Sequence, residues 1–270
     1  MNKEDLIVCF SGGRTSGYMS WFLKTHMSHL YNLHFIYANT GQEHIKTLEF
    51  VNKCDEYLGL NLVWLEADVF HDLRKSSGYK VVTFDTASRK GEPFEEVIKK
   101  YGLPNQNFLH CTRELKNNPI KQWRLDNGYK DSKIALGIRG DEPRRIKLRL
   151  DAMYPLQHIK HTTKEEILDW WKEQPFDLEI SEQLGNCVTC YKKSDKKLDL
   201  IRLEDKSHFD FFIDMENKYQ TLKPQEGKEK RIIFRHNRTS YEVANGLNKP
   251  SKPSLLDECA EECGSVIIDT

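Results

Sequence analysis

Residues 6–21 read LIVCFSGGRTSGYMSW, and the pattern of apolar residues changes in the middle of this stretch. Leu6 to Phe10 form a short apolar run of the kind found in a strand buried on both faces. From Thr15 onward the apolar residues recur at helical spacing, so Gly12-Gly13 is predicted to form the turn between strand and helix. Such a turn binds anions, because glycine lets the backbone approach a phosphate while the N–H groups and dipole of the helix attract its charge. A tight turn without a ligand would have the same pattern.

The composition limits the classes of protein to which the chain can belong. Its 270 residues suffice for one large domain, or one domain with an appendage, and for a substantial core. The 41 basic side chains equal the 41 acidic ones, so the protein as a whole has no positive field that would attract nucleic acid. The basic stretches 144–149 and 228–238 are therefore predicted to be solvated faces or phosphate-binding edges rather than an RNA-binding surface. No apolar run reaches the roughly 18 residues of a membrane span, and no apolar signal segment begins the chain. We therefore expect a soluble, cytoplasmic protein without a membrane partner.

Short apolar strands alternate with amphipathic helices over the first two-thirds of the chain. Strands are predicted at 6–10, 33–38, 62–65 and 132–138, and helices at 47–58, 95–101, 119–127 and 164–174. This alternation predicts an α/β fold, a parallel sheet with helices on both faces, in which ligands bind beyond the carboxyl ends of the strands.

The character of the sequence changes near residue 180. We predict a nucleotide-binding α/β domain over 1–180 and a cysteine-containing extension over 181–270 that packs on it. The extension is polar, and we expect it to be irregular apart from one helix near 209–219.

Ser11-Gly12-Gly13-Arg14-Thr15-Ser16 resembles the pyrophosphate loop, Ser-Gly-Gly-x-Asp-Ser, of the ATP pyrophosphatases and the related phosphoadenylylsulfate (PAPS) reductases. The ATP-cleaving members usually carry Asp where this chain has Thr15. Asn39-Thr40-Gly41 resembles the Asp-Thr-Gly that follows the second strand in PAPS reductases. The chain is identified on these motifs as a member of the PAPS reductase-like family of the PP-loop superfamily, which implies a Rossmann-like adenine nucleotide alpha-hydrolase fold.

Three later segments resemble the same family in the same order. Residues 111–120, CTRELKNNPI, resemble its Cys-x-x-Arg-Lys-x-x-Pro-Leu segment. Residues 136–145, LGIRGDEPRR, resemble its Gly-x-Arg segment, whose trailing arginine holds the phosphate or sulfate of the nucleotide. Residues 154–171 resemble its Pro-Leu…Trp-Thr-x-x-Asp-Val-Trp segment, so the similarity spans roughly residues 5–200.

The resemblance implies a set of nucleotide-binding residues. They are Ser11, Gly12, Gly13, Arg14, Thr15, Ser16, Asn39, Thr40, Gly41, Arg113, Lys116, Arg139 and Arg144. Arg14 is also expected to be catalytic, because a guanidinium grips phosphate oxygens and stabilises charge that develops on a leaving pyrophosphate. Glu43 and Asp141 are candidate ligands for a magnesium ion.

Cysteine spacing points to a metal centre. Cys187-Val-Thr-Cys190 is a Cys-x-x-Cys motif, whose two thiolates can bind one metal or one cluster. The iron–sulfur branch of the family carries a Cys-Cys pair ahead of such a motif and binds a 4Fe–4S cluster. The resemblance therefore implies Cys111, Cys187 and Cys190 as ligands, with His110 at the first position of the pair.

The fourth ligand of the centre stays open. We include Cys263, with His110, Cys259 or an iron without a protein ligand as alternatives. A structural zinc site formed by Cys187, Cys190, Cys259 and Cys263 is one competing interpretation, and a redox dithiol or no metal is another.

The C-terminal Glu262-Cys263-Gly264 resembles the Glu-Cys-Gly-Leu-His at the end of the reductases. In those enzymes this cysteine attacks the sulfate sulfur and becomes an S-sulfonate. The resemblance therefore gives Cys263 a second possible role, that of a catalytic nucleophile.

Three functions are compatible with these features. The favoured one is ATP-dependent adenylation of a tRNA, DNA or small acceptor, followed by transfer of sulfur from a sulfur donor, with a 4Fe–4S cluster as cofactor. The second is a PAPS or adenylylsulfate reductase that releases sulfite through Cys263 with a thiol reductant. The third is a protein that binds an adenine nucleotide without chemistry, which the Thr15 and Asn39 departures from the family pattern would permit.

Overall fold

The computed structural model describes residues 3–72, 74–105, 108–219, 234–235 and 237–249. These residues form an α/β fold around a six-stranded sheet, in the order β4-β3-β2-β1-β5-β6. Neighbouring strands are parallel except for β3 and β4, which are antiparallel. The strands are β1 (Glu4–Phe10), β2 (Tyr31–Asn39), β3 (Val63–Asp68), β4 (Gly78–Val82), β5 (Lys133–Ala135) and β6 (Ala152–Met153). The predicted Rossmann-like α/β architecture is confirmed.

Helices follow most of the strands. They are α1 (Arg14–Met27), α2 (Ile45–Leu58), α3 (Glu92–Tyr101), α4 (His110–Thr112), α5 (Asn118–Asp126), α6 (Pro155–His158), α7 (Lys164–Lys172), α8 (Asp195–Glu204), α9 (Asp210–Tyr219) and α10 (Ser240–Ala244). A π-helical turn, Arg113–Asn117, joins α4 to α5. Turns of 3₁₀-helix lie at Pro143–Arg145, Glu182–Leu184 and Lys206–Phe209. None of the helices within the described part of the chain is long and apolar enough to cross a membrane.

Strand β1 is apolar throughout its second half because both faces of the sheet are covered. Leu6, Val8 and Phe10 belong to a core that also contains buried residues of α1, α2 and α7. Ile7 and Cys9 belong to a second core with residues of α5. Alternate side chains therefore enter opposite cores, which explains why the sequence shows a continuous apolar run rather than an alternating one.

A third core joins the sheet domain to the segment after residue 180. Phe94 of α3 and Leu115 of the π-helical turn pack in one cluster with Leu198 of α8 and with Phe212 of α9. The expectation of a single helix in this segment was wrong, because α8 and α10 are helical as well. In α8, whose sequence is DKKLDLIRLE, only Leu198 and Ile201 are buried. An apolar face of two residues among many charged ones is too narrow to indicate an amphipathic helix in the sequence.

The edges of the sheet also differ from the prediction. The antiparallel edge strand β4 was missed, since its Lys80 and Val81 are exposed and its sequence lacks a continuous apolar run. The strand predicted at 132–138 ends at Ala135. Beyond it the chain leaves the sheet, and Gly137 to Arg139 contribute to the site described next.

Candidate functional site

A cavity of about 550 Å³ lies at the carboxyl ends of β1 and β5. One wall is formed by Ser11–Thr15, which follow β1, and another by Gly137, Arg139, Glu142 and Arg145, which follow β5. Strand β1 pairs with β2 on one side and with β5 on the other. The chain thus adds β2 and β3 on one side of β1 and then crosses to add β5 and β6 on the other, so β1 lies at the topological switch point of the sheet. Open α/β sheets bind ligands at this switch point. We call this space the switch-point cavity.

The loop between β1 and α1 has the geometry of an anion site. Gly12 has a φ of +85°, and a Cβ at this position would lie 2.8 Å from Thr47 Cγ2. Gly13 is the N-cap of α1, and a Cβ there would meet no atom within 4 Å. Ser16 Oγ donates to Gly13 O at 2.8 Å, and Ser11 Oγ donates to Ser16 Oγ at 3.2 Å. The loop is therefore fixed from within, and no acidic residue in the first turn of α1 opposes an anion.

Arg14 lines the cavity but is already paired. Its guanidinium donates to both carboxylate oxygens of Asp177, at 2.6 and 2.9 Å, and to Leu178 O at 2.6 Å. Trp171 Nε1 donates to Arg14 O at 2.9 Å. The arginine thus fastens the start of α1 to the segment after α7, and Leu178 becomes part of the cavity wall.

The wall after β5 carries two arginines and one shared carboxylate. Arg139 lies 3.2 Å from Glu142 and Arg145 lies 2.8 Å from it. Arg139 also pairs with Asp141 at 2.9 Å. Arg144, which the family resemblance implied, is exposed and is not part of the wall. Its neighbour Arg145, which was not among the predicted nucleotide-binding residues, lines the cavity instead.

A third group of charges closes the cavity from the C-terminal half. Lys164, the first residue of α7, lies 2.8 Å from Glu182, and Lys197 of α8 lies 3.7 Å from the same residue. The hydrogen bond from Lys164 lowers the pKa of the Glu182 carboxyl below its usual range. Lys164 lies inside a segment that resembles the family, whereas nothing in the sequence singled out Lys197.

The Asn39-Thr40-Gly41 motif lies outside the wall of the switch-point cavity. Asn39 is fully buried, and its amide donates to Glu66 Oε1 at 2.6 Å and to Ser88 O at 2.8 Å. Its oxygen accepts from Gly41 N at 3.2 Å. The polar atoms of Asn39 are therefore used to hold the loop after β2 against the neighbouring β3 and the 88–91 segment.

A second, smaller cavity of about 30 Å³ brings the predicted cysteines together. We call it the cysteine cavity. Its wall consists of Thr40, Phe94, Cys111, Thr112, Leu115, Lys116, Asn186, Cys187, Cys190, Tyr191 and Phe212. Cys111 and Lys116 are five residues apart, and the π-helical turn between them brings both to one side, since its hydrogen bonds run from i to i+5.

Polar contacts anchor the Cys187 loop to the loop after β2. The backbones of Cys187 and Glu43 pair in a single antiparallel β-bridge, and Val188 N donates to Gln42 O at 3.0 Å. The Cys187 sulfur lies 3.4 Å from Thr40 Oγ1 and 4.0 Å from Glu43 Oε1. Lys116 Nζ lies 3.6 Å from the same carboxylate oxygen. On the opposite side, Cys111 Sγ lies 3.2 Å from the Tyr191 hydroxyl.

The other predicted ligands are placed differently. His110 is not part of the cavity wall; its Nε2 lies 3.0 Å from Gly102 O, and burial lowers the pKa of the imidazole. Arg113 pairs with Glu114 at 2.8 Å and is half exposed, outside both walls. Cys259 and Cys263 lie outside the described residues. Within the described ranges, no three His, Cys, Asp or Glu side chains are arranged to hold a single metal ion.

Comparison with known proteins gives three relatives. The uncharacterized nin region protein ORF290 of Escherichia phage lambda is 37% identical over 198 residues, which cover 72% of this chain and 68% of that protein. The uncharacterized protein MJ0066 of Methanocaldococcus jannaschii is 24% identical over 138 residues, 51% of this chain and 23% of that protein. The 7-cyano-7-deazaguanine synthase of Phocaeicola vulgatus is 34% identical over 77 residues, 28% of this chain and 33% of the synthase. No protein-family model matches the chain.

Proposed function

The chain belongs to the family of the phage lambda nin region protein ORF290, and we propose that it is an enzyme that binds an adenine nucleotide, ATP in the first place, in the switch-point cavity. The short similarity to a synthase supports this at a coarse level, that of a nucleotide-using enzyme of the PP-loop superfamily. The finer proposal, a PAPS reductase-like enzyme of sulfur chemistry, comes from the motifs in the sequence.

One observation carries the proposal: the N-terminus of α1 and the Gly12-Gly13 loop face a cavity of nucleotide size at the switch point of the sheet. Ligand cavities in proteins commonly measure roughly 300–1,000 Å³, and this one is about 550 Å³. Helix N-termini bind phosphate because their N–H groups lack partners within the helix.

The charges of the cavity suit a polyanionic ligand. Arg139, Arg145, Lys164 and Lys197 contribute positive charge to the wall, and Glu142 and Glu182 neutralise them in pairs. We infer that phosphate oxygens replace these carboxylates when the nucleotide binds. The catalytic role of Arg14 likewise requires its guanidinium to exchange Asp177 for a phosphate oxygen.

The favoured reaction has two steps. An acceptor oxygen attacks the α-phosphorus of ATP, and pyrophosphate leaves with the electron pair of the broken bond. A sulfur nucleophile then attacks the activated carbon of the acceptor, and AMP leaves. The N–H groups of the Ser11–Ser16 loop, with Arg14, would stabilise the charge that develops on pyrophosphate. The acceptor class that we propose is a tRNA, a DNA or a small molecule.

The cysteine cavity suits a 4Fe–4S cluster by its donors. Cys111, Cys187 and Cys190 line one space, and they would hold the cluster after a rearrangement, because the described arrangement does not gather three of these thiols around one ion. When bound, a cluster supplies sulfur or electrons beside the nucleotide. The volume of about 30 Å³ is that of one or two water molecules, so the described arrangement is tighter than a loaded site. The zinc alternative depends on Cys259 and Cys263, outside the described residues.

The first test is calorimetric titration of anaerobically purified protein with ATP and, separately, with PAPS. Micromolar binding of ATP with weak binding of PAPS is the expected result. A preference for PAPS would instead support the reductase, and Cys263→Ser would then be expected to abolish release of sulfite. Failure of both nucleotides to bind would contradict the proposed function.

The cofactor has its own test, the content of iron, zinc and acid-labile sulfide in each protein. Cys111→Ser, Cys187→Ser and Cys190→Ser should each lower iron and sulfide together. Cys54→Ala is the control, because Cys54 is completely buried in the core next to α1 and should not affect the metal content. Zinc without sulfide in the wild type would contradict the cluster.

A further inference from the structure

The switch-point cavity and the cysteine cavity meet at one short segment. Gly185 lines the switch-point cavity, Cys187 lines the cysteine cavity, and Asn186 between them lines both. Among the described residues, no other belongs to both walls. The wall between the two spaces is thus one residue thick at Asn186.

The backbone of this segment is held from both sides. Asn186 has a φ of +57°, in the left-handed region that asparagine and glycine adopt most readily. Immediately after it, the Cys187–Glu43 bridge and the hydrogen bond from Val188 N to Gln42 O fasten the chain to the loop after β2. Asparagine could therefore be present at this position only because it tolerates the left-handed backbone conformation. A test must separate this backbone effect from a function of the side-chain amide.

The side-chain amide of Asn186 is the feature that its backbone conformation does not explain. It is half buried and makes no hydrogen bond with any residue in the described part of the chain. Another left-handed asparagine, Asn248, behaves differently, because its amide donates to Glu242 Oε1 at 2.6 Å. An amide offers two donors and an acceptor, which suit the oxygens of a phosphoryl group or a group bonded to it.

We propose that Asn186 is a positioning residue, whose amide donates to the reacting end of the bound nucleotide and holds it at the wall beside Cys187. Asn186 thereby couples the two cavities: a ligand in the switch-point cavity shields Cys187. The inference rests on the proposed function, since it requires a nucleotide in that cavity. In this proposal Asn186 connects the nucleotide to the thiol of Cys187, and no role of Cys263 is required.

Two substitutions separate the side chain from the backbone. Asn186→Gly keeps the left-handed conformation and removes the amide. Asn186→Asp keeps the shape and replaces two donors by a negative charge, which repels phosphate. Asn248→Gly is the matched control, because it changes another left-handed asparagine that lines neither cavity.

The readouts are the melting temperature, the affinity for ATP by calorimetry, and the rate at which iodoacetamide alkylates Cys187, measured by peptide mass spectrometry. Alkylation is followed with and without ATP in the full-length protein, after iron and zinc have been removed with a chelator. This treatment leaves the thiols available to the reagent whether or not a metal centre was present. Unchanged melting temperatures establish that the variants are folded.

In the wild type, saturating ATP should slow alkylation of Cys187 severalfold. Asn186→Gly should bind ATP within about fivefold of the wild type, the effect of one hydrogen bond, but lose most of this protection. Asn186→Asp should bind ATP about tenfold more weakly or worse. Asn248→Gly should behave as the wild type.

The outcomes that contradict the two proposals differ. If the wild type binds neither ATP nor PAPS, the proposed function fails. If ATP binds but does not protect Cys187, or if Asn186→Gly retains the protection, the role of Asn186 fails while nucleotide binding stands.

Discussion

The guanidinium of Arg14 forms a bidentate salt bridge with the carboxylate of Asp177, with hydrogen bonds of 2.6 and 2.9 Å, although the two residues are 163 positions apart in the sequence. Arg14 is the first residue of α1, and Asp177 follows α7. The pair therefore ties Arg14, which lines the switch-point cavity, to the segment after α7, and it engages the guanidinium that is expected to contact phosphate. Asp177 and the phosphate of a bound nucleotide would therefore compete for the guanidinium of Arg14.

Asp177→Asn tests this competition. The neutral amide holds Arg14 less firmly, so we expect ATP to bind severalfold more tightly. The free energy of unfolding should fall by about 1 kcal/mol, because the pair is only partly buried. Calorimetry and urea denaturation measure the two effects.

Asp169→Asn is the control for this pair, since Asp169 forms an exposed ion pair with Lys172 on the surface of α7. It should change neither quantity appreciably. Weaker ATP binding by Asp177→Asn would show instead that Asp177 holds Arg14 in the conformation that the nucleotide needs.

Gly12→Ala and Gly13→Ala should have different effects although the residues are adjacent. At Gly12 the positive φ and the 2.8 Å approach to Thr47 Cγ2 strain any side chain, so we expect a loss of about 1–3 kcal/mol of stability together with weaker ATP binding. At Gly13 a methyl group meets no protein atom, so the melting temperature should hold while the methyl group obstructs the approach of phosphate. Thermal unfolding and calorimetry on both variants decide this, and equal ATP affinity of Gly13→Ala and wild type would argue against the loop as the phosphate site.

Arg144 and Arg145 form a natural matched pair. Arg145 lines the switch-point cavity and pairs with Glu142, whereas Arg144 is exposed outside the wall. Arg145→Ala should weaken ATP binding about tenfold, and Arg144→Ala should leave it within about twofold. The affinities at two salt concentrations provide the measurement. The reverse order would return the phosphate contact to Arg144, as the family resemblance implied.

Glu216 predicts a pH dependence of stability. It is buried, accepts hydrogen bonds from Ser240 N and Oγ, and burial raises its pKa to about 7. A folded-state pKa above the unfolded one means that the folded protein binds the proton more tightly. The stabilisation is therefore complete below about pH 4.5 and is lost as the pH rises to about 7.

Glu216→Gln lacks this titration, so its stability relative to the wild type should increase between pH 5 and pH 8, by at most about 3 kcal/mol. Urea denaturation at both pH values measures the change. Glu95→Gln is the control, because the hydrogen bond from Lys218 lowers the pKa of Glu95, so its effect on stability should stay nearly constant between pH 5 and pH 8 and change only below about pH 4.5. A pH-independent difference for Glu216→Gln would mean that Glu216 titrates in its usual range.

Not all of the site could be predicted, and the cysteines show why. The Cys-x-x-Cys spacing indicates that Cys187 and Cys190 can share a ligand, because two thiols so close in sequence are close in space. That Cys111 meets them depends on the π-helical turn and on the packing of Leu115 and Phe212 in one core. Only the family resemblance pointed to Cys111 beforehand.

The sequence by itself determined the α/β fold and the position of the cavity. A continuous apolar run requires a strand covered on both faces, and the Gly12-Gly13 turn after it places a helix N-terminus at the end of that strand. The tertiary structure alone decided which side chains form the walls. Arg145 faces the cavity instead of Arg144, Arg14 is paired with Asp177, and Asn186 separates the two cavities. The physical reason is that strand and helix patterns are local, whereas the direction of a side chain and its partner depend on segments that only folding brings together.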